Sequence, residues 1–254
     1  MTFLPCRQLY FLTSGSGTVS YAWHNDNTAI GLAADGETGT TGIASFNVTN
    51  NTTAPIVGTI TVTPTYTYGG KSCEGTPTSF TITVNPTIAA NTINNQVVGN
   101  NSTTTAVTFG TNATGTGTVS YAWTNDNTAI GLAASGTTDN IASFTATNTT
   151  TAPISGTITV TPTYMYGGKS CEGTPTSFTI TVNPTAKVND ITAQTVCNGE
   201  STSVVTFGTT NSGGTTTYTW TNNNEAIGLA ASGNGNIAAF TATNTGTAPV
   251  TATI

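Results

Sequence analysis

Residues 18–36, TVSYAWHNDNTAIGLAADG, return at 118–136 as TVSYAWTNDNTAIGLAASG, and residues 216–233 give a looser third copy, TTYTWTNNNEAIGLAASG. The VNPT strings at residues 84–87 and 182–185 set the period at 98 residues. That is far longer than one turn of a solenoid and matches a small independent domain. The chain therefore reads as a tandem array. The phase gives repeat 1 over residues 1–86, repeat 2 over 87–184 and repeat 3 over 185–254. Repeat 2 is expected to be the complete copy, repeat 1 to have its first strands missing or replaced, and repeat 3 to be shortened at its C-terminal side.

The residues inside the repeat favour strands. Only 6% of the 254 residues are charged, against roughly 25% in an ordinary globular domain. Thr, Asn, Gly and Ser fill the polar positions instead; Thr suits strands, while Asn and Gly suit turns. No window keeps an apolar three-and-four spacing over a helix length, so essentially no helix is expected. In repeat 2, alternation marks strands at 93–98 and 104–109. A third follows with Val119, Tyr121 and Trp123 on one face, then a short fourth at 130–133. Ala142, Phe144 and Ala146 mark a fifth, Ile158, Val160, Pro162 and Tyr164 a long sixth, and Phe178, Ile180 and Val182 the last. Seven short strands with turn signals every 8 to 12 residues predict an all-β fold of tandem immunoglobulin-like β-sandwiches, with Trp123 as the core tryptophan.

The copies also test one another. Trp23, Trp123 and Trp220 correspond, as do Phe46, Phe144 and Phe240, and Ile30, Ile130 and Ile227. These are expected core positions. Length varies just after Gly36, Gly136 and Gly233, which predicts a surface loop there. Residues 1–12, MTFLPCRQLYFL, lack a basic start and a small-residue cleavage site, so they do not read as a signal peptide. Ile254 aligns with Ile158. The plainer reading of both ends is a piece of a longer array. The sharper one is strand addition between molecules, with residues 3–12 as the spare strand.

The phrases VNPT, QTVCNGESTSVVTFG at 194–208 and YTWTNNNEAIGLAASGNGNIAAFTATNTGTAPVTATI resemble the PKD-like, immunoglobulin-fold repeats of very large secreted bacterial surface proteins, of the type IX secretion and gliding-motility-associated type. The likeness spans nearly the whole chain beyond about residue 13. It implies a stalk, adhesin or filament at the cell surface and no particular chemistry.

Pooling the copies puts one cysteine in the QTVCNG turn and one in the KSCEGTP turn, a pair suited to an oxidising exterior. Here the set is broken, because Gly99 stands where repeat 3 has Cys197. The alternatives are Cys6 with Cys73, Cys171 with Cys197 across a repeat junction, and free or intermolecular thiols. His24 is the sole histidine, and its counterparts are Thr124 and Thr221, so it reads as a surface substitution. Asp26 and Asp126 offer oxygens that suit calcium, but the third copy reads NNNE, and a solvated turn is the plainer reading. Lys71 and Lys169 in GGKSCEG are conceivable isopeptide donors, though they read as turn residues. Thr59, Thr61, Thr63 and Thr65 share one face of a strand, as do Thr157, Thr159, Thr161 and Thr163. Such a face suits ice or a crystalline polysaccharide, or is simply the wet side of a sheet. Pro64 and Pro162 predict an edge strand or a bulge.

With no recurring titratable constellation, no catalytic residue, no metal ligand and no cofactor are expected. A net charge of −6 with four Lys and Arg argues against nucleic acid and a polybasic membrane anchor, and no apolar run is long enough for a membrane-spanning helix. The expected function is an extracellular structural repeat protein, a subunit or fragment of a surface adhesin, stalk or filament that self-associates with neighbouring copies or repeats, with head-to-tail strand complementation as the sharper of the two readings of its ends. The alternative is a carbohydrate- or ice-binding module working through the Thr faces and the aromatics Tyr66 and Tyr68, with surface glycans as partners.

Overall fold

The computed structural model describes residues 17–39 and 42–254. Repeat 1 contributes β1 (Thr18–Asn25), β2 (Asp35–Gly39), β3 (Ile56–Tyr68), β4 (Lys71–Glu74) and β5 (Thr78–Val84). Repeat 2 contributes β6 (Gln96–Gly99), β7 (Val107–Thr108), β8 (Thr118–Asn125), β9 (Ser135–Gly136), β10 (Asn140–Ile141), β11 (Ile154–Tyr166), β12 (Lys169–Glu172) and β13 (Thr176–Asn183). Repeat 3 contributes β14 (Thr219–Thr221) and β15 (Ser232–Asn234). Among the described residues the only helical elements are three single 3-10 turns, Thr28–Ile30, Thr128–Ile130 and Glu225–Ile227. The fold is nearly all-β, as its Thr-rich alternation requires, and no described helix is long and apolar enough to cross a membrane.

In repeat 2 the main sheet runs β6-β13-β11-β8-β9, with β12 also on β11. All pairings are antiparallel except β13 with β6. β7 and β10 form a second, smaller sheet. Val107, Phe109, Ile141 and Ala146 from that side pack on Trp123, Ile158, Val160, Phe178, Ile180 and Val182 of the main sheet in one core. Ile158, Val160, Pro162 and Tyr164 are buried, while the Thr residues between them are half-exposed. This is the expected two-faced strand. In its own sheet repeat 1 pairs β3 with β1, β4 and β5 in the same registers in which repeat 2 pairs β11 with β8, β12 and β13.

Five details differ from the sequence expectations. The fifth strand expected at 142–146 is no strand, and Thr145 makes only an isolated bridge with Thr103. The fourth strand at 130–133 is instead the end of a 3-10 turn, closed by Gly131 at φ 95°, a left-handed conformation that only glycine adopts freely. The KSCE strings are strands, β4 and β12, rather than turns. Ala142 is exposed, and its neighbour Ile141 takes the core position. Pro64 and Pro162 lie on the central strands β3 and β11, not on an edge. The reason is geometric: the carbonyl of Pro162 accepts from Gly173 N at 2.8 Å, on the side where β12 hands over to β13. N–H and C=O of one strand residue point the same way, so the missing N–H faces that hand-over and no ladder bond is lost. The variable-length segment after Gly136 connects β9 of the main sheet to β10 of the small one.

Trp123 is fixed from one side by Gly136, where an added Cβ would lie 2.6 Å from the indole. Gly36 and Gly233 stand equally close to Trp23 and Trp220. Gly136→Ala should therefore destabilise by about 1–3 kcal/mol through overpacking. Urea denaturation checks this, and an unchanged midpoint would refute the tight seat.

Candidate functional site

Asn25, Asn125 and Asn222 are among the few buried polar side chains. Asn125 Nδ2 donates to the carbonyls of Asn127, Leu132 and Ala133 at 3.1, 3.1 and 3.3 Å, and its Oδ1 accepts from Asn127 N. Asn127 then caps the 3-10 turn by accepting from Ala129 N and donates to Ser155 O at the start of β11. Asn25 and Asn27 repeat this pattern toward Val57, and Asn222 and Asn224 toward Thr251. The Asn-Asp-Asn segment is thus a hydrogen-bonded corner that ties the end of one strand to the next long strand.

The acids of that corner have the same role. Asp26 Oδ1 accepts from Thr59 N and Asp126 Oδ1 from Thr157 N, both at 2.7 Å. Asn223 Oδ1 accepts from Thr253 N at 2.8 Å in the third copy. An amide oxygen does the job as well as a carboxylate, which explains why NDN becomes NNN. Rather than a free solvated turn, these side chains are strand-tethering acceptors. No group of three His, Cys, Asp or Glu side chains comes together among the described residues.

The other candidates are dispersed. His24 is exposed and pairs across strands with Asp35 at 2.7 Å. Lys71 and Lys169 are exposed at strand starts. Cys171 and Cys197 are both free thiols, so the pairing across the junction does not form; they sit on different repeats, with Cys171 on β12 and Cys197 in an exposed turn. The Cys6 half of the other pairing lies outside the described residues, as do residues 3–12. The Thr faces carry hydroxyl bonds between strands: Thr159 with Ser177 at 2.9 Å, Ser155 with Thr181 at 2.8 Å, and Thr61 with Ser79 at 2.9 Å. Tyr66 is exposed, whereas its counterpart Tyr164 is fully buried and accepts from Gly117 N at 3.0 Å.

The junctions between repeats are the arrangement that the sequence did not reveal. Thr114 N donates to Thr53 O at 2.8 Å, and Ser212 N donates to Thr151 O at 2.9 Å. Thr53 and Thr151 are 98 residues apart, and so are Thr114 and Ser212. The glycine after each donor, Gly115 or Gly213, packs on Pro55 or Pro153. Across the first junction Asn85, the Asn of VNPT, donates to the carbonyls of Tyr166 and Lys169, both at 3.1 Å. Across the second, Asn211 Nδ2 donates to the carbonyl of Thr151 at 3.4 Å. VNPT looked like a phase marker. Its recurrence at both linkers, beside a recurring Thr-Ala-Pro, was the available signal of a contact.

Asn125→Ala should cost about 2–3 kcal/mol, because it leaves buried carbonyls without donors; Asp126→Asn should be nearly neutral, as Asn223 indicates. Denaturation midpoints that rank the two variants equally would refute the corner. The backbone N–H and hydroxyl of Thr59 hold the Asp26 carboxylate below the usual range. Its contribution is complete above the unfolded value of about 3.9 and is lost as pH falls through the lower folded one. The stability of wild type relative to Asp26→Asn should therefore fall as the pH drops below about 4. A difference independent of pH would contradict the tether.

No protein-family model matches the chain, and no curated protein matches it.

Proposed function

We propose that this chain is a non-enzymatic structural repeat protein of the cell exterior, a subunit or portion of a surface stalk, adhesin or filament built from immunoglobulin-like β-sandwiches. The observation that carries the reading is the junction. Two successive linkers make the same Thr-carbonyl and Gly-on-Pro contacts at the same period. Random apposition would not repeat; a contact that repeats with the sequence period turns beads into a semi-rigid rod. The Pro in each VNPT linker restricts the backbone in the same sense. Every potential active-site group found above is either dispersed or engaged in holding backbone. The resemblance to PKD-like repeats of large secreted bacterial surface proteins agrees with this reading.

A second reading rests on the Thr faces. On the main sheet of repeat 2, Thr and Ser of β8, β11 and β13 stand side by side at strand spacing, a regular hydroxyl surface repeated on the sheet of repeat 1. Such a surface suits a crystalline polysaccharide or ice. Binding of the intact chain to cellulose, chitin or ice, abolished by Thr159→Lys and Thr161→Lys, would favour this module over the rod.

Small-angle scattering tests the rod. A compact globule of this length has a radius of gyration of about 18 Å, whereas three repeats in line should give roughly 30 Å. Asn85→Ala, which removes two bonds across the first junction, should broaden the distance distribution without unfolding either repeat. A radius near the compact value would sink the proposal.

A further inference from the structure

In repeat 2 the chain arrives from one VNPT linker at Thr87 and leaves into the next at Asn183. The segments beside those two points are neighbours in one sheet. β13 lies parallel to β6, with Ile180 beside Gln96, Thr181 beside Val97, Val182 beside Val98 and Asn183 beside Gly99. The other strand pairings of the repeat are antiparallel.

The contact extends beyond these four rungs on both sides. Toward the first linker, Ala89 bridges Thr174 in the same parallel sense. There Ala90 N donates to Thr174 O at 3.1 Å, and Thr174 N donates to Ile88 O at 2.7 Å. Between the bridge and the ladder, Thr179 N donates to Asn95 Oδ1 at 2.8 Å, so a side chain supplies a rung where backbone pairing stops. Toward the second linker, Asn100 N donates to Asn183 O and Asn100 Nδ2 to Thr185 Oγ1, both at 2.8 Å. Apolar packing backs the seam: Ile88 is fully buried, and Ile93 and Val98 pack on the core that holds Phe178, Ile180 and Val182. No residue in 88–100 or 174–185 is charged, so salt does not screen the seam.

Parallel pairing decides how tension acts here. A pull on Thr87 draws β6 back toward its start, and a pull on Asn183 draws β13 toward its finish. The two strands are then driven in opposite directions along their shared axis. The bonds between them run across that axis, so they are strained together and share the force. Two strands pulled apart at neighbouring ends would instead open one rung at a time.

We propose that this seam makes repeat 2 a tension-bearing element, whose further function is to stay folded while the array is pulled along its length. The assignment rests on reading the chain as a portion of a stalk, adhesin or filament, and it names the mechanical duty of one module. Under force a folded module lasts as long as its unfolding rate allows. The seam acts on that rate, because it must break before the chain between Thr87 and Asn183 can lengthen.

Single-molecule force spectroscopy on the full chain tests this. Azide-bearing residues replace Thr87 and Ala186, both exposed, so that handles attached there place only repeat 2 under load. In a second molecule the handles sit at Ser102 and Ala186, also exposed, and peel β6 away from its Gly99 end. At one loading rate the first geometry should unfold at the higher force. Asn95→Ala removes the added rung and should shorten the lifetime at a fixed force about fivefold in the first geometry. Thr138→Ala, which removes a bond to Asn140 O in an exposed loop away from the seam, should not. Equal forces along the two axes, or an Asn95→Ala lifetime no shorter than that of Thr138→Ala, would overturn the proposal. If scattering shows a rod while the forces are equal, the tension seam alone is lost. Unequal forces with a compact radius sink the rod and leave the seam as a property of the module.

Discussion

A fold this poor in charge, with so many hydroxyl and amide side chains, needs its backbone polar groups satisfied at each reversal of direction. The buried asparagine of the Asn-Asp-Asn corner meets that need. Asn125 donates to three carbonyls and accepts from one N–H, replacing the hydrogen bonds that a strand loses when it turns. Remove that side chain and the carbonyls of Leu132 and Ala133 are stranded beside the core. The 3-10 turn, the burial of Ile130 and the position of Trp123 against Gly136 all follow from where this corner puts the chain. The same corner reaches Ser155 and Thr157, so it also fixes the register of the long central strand.

From that central strand the rest of the module is organised. β11 pairs with β8 along one side and with β13 and then β12 along the other. Its apolar residues feed the core and its threonines face outward. The proline within it is tolerated because it sits where one partner gives way to the next. Tyr164, at the far end, places its hydroxyl against Gly117 and so couples the strand to the loop that meets the preceding repeat. Core, corner and junction are therefore one connected structure, which is why a period in sequence becomes a period in contacts.

Strand content, the two-faced long strand and the core positions Trp123, Ile130 and Phe178 were legible, because alternation with a period of two reports burial directly. What escaped was whatever depends on a side chain bonding to backbone far away in sequence. The segment around Ile130 has the composition of a strand, but the Asn127 cap and Gly131 turn it into a 3-10 element. Asp126 has the composition of a calcium ligand, yet it serves as an acceptor that Asn can replace. KSCE follows two glycines and looks like part of their turn, but pairs with β11 once the hairpin closes. In each case a hydrogen bond invisible to periodicity decided the outcome.

The third copy shows how far repetition can be used as a physical argument. Identical sequence need not give identical burial; it gives identical donors and acceptors. Asn198, Gln194 and Asn244 hold the geometry of their counterparts in repeat 2 although no strand of the described structure rests on them. The corner, cap and loop contacts are thus set by each copy's own donors and acceptors, independently of the strands that pack beside them in repeat 2.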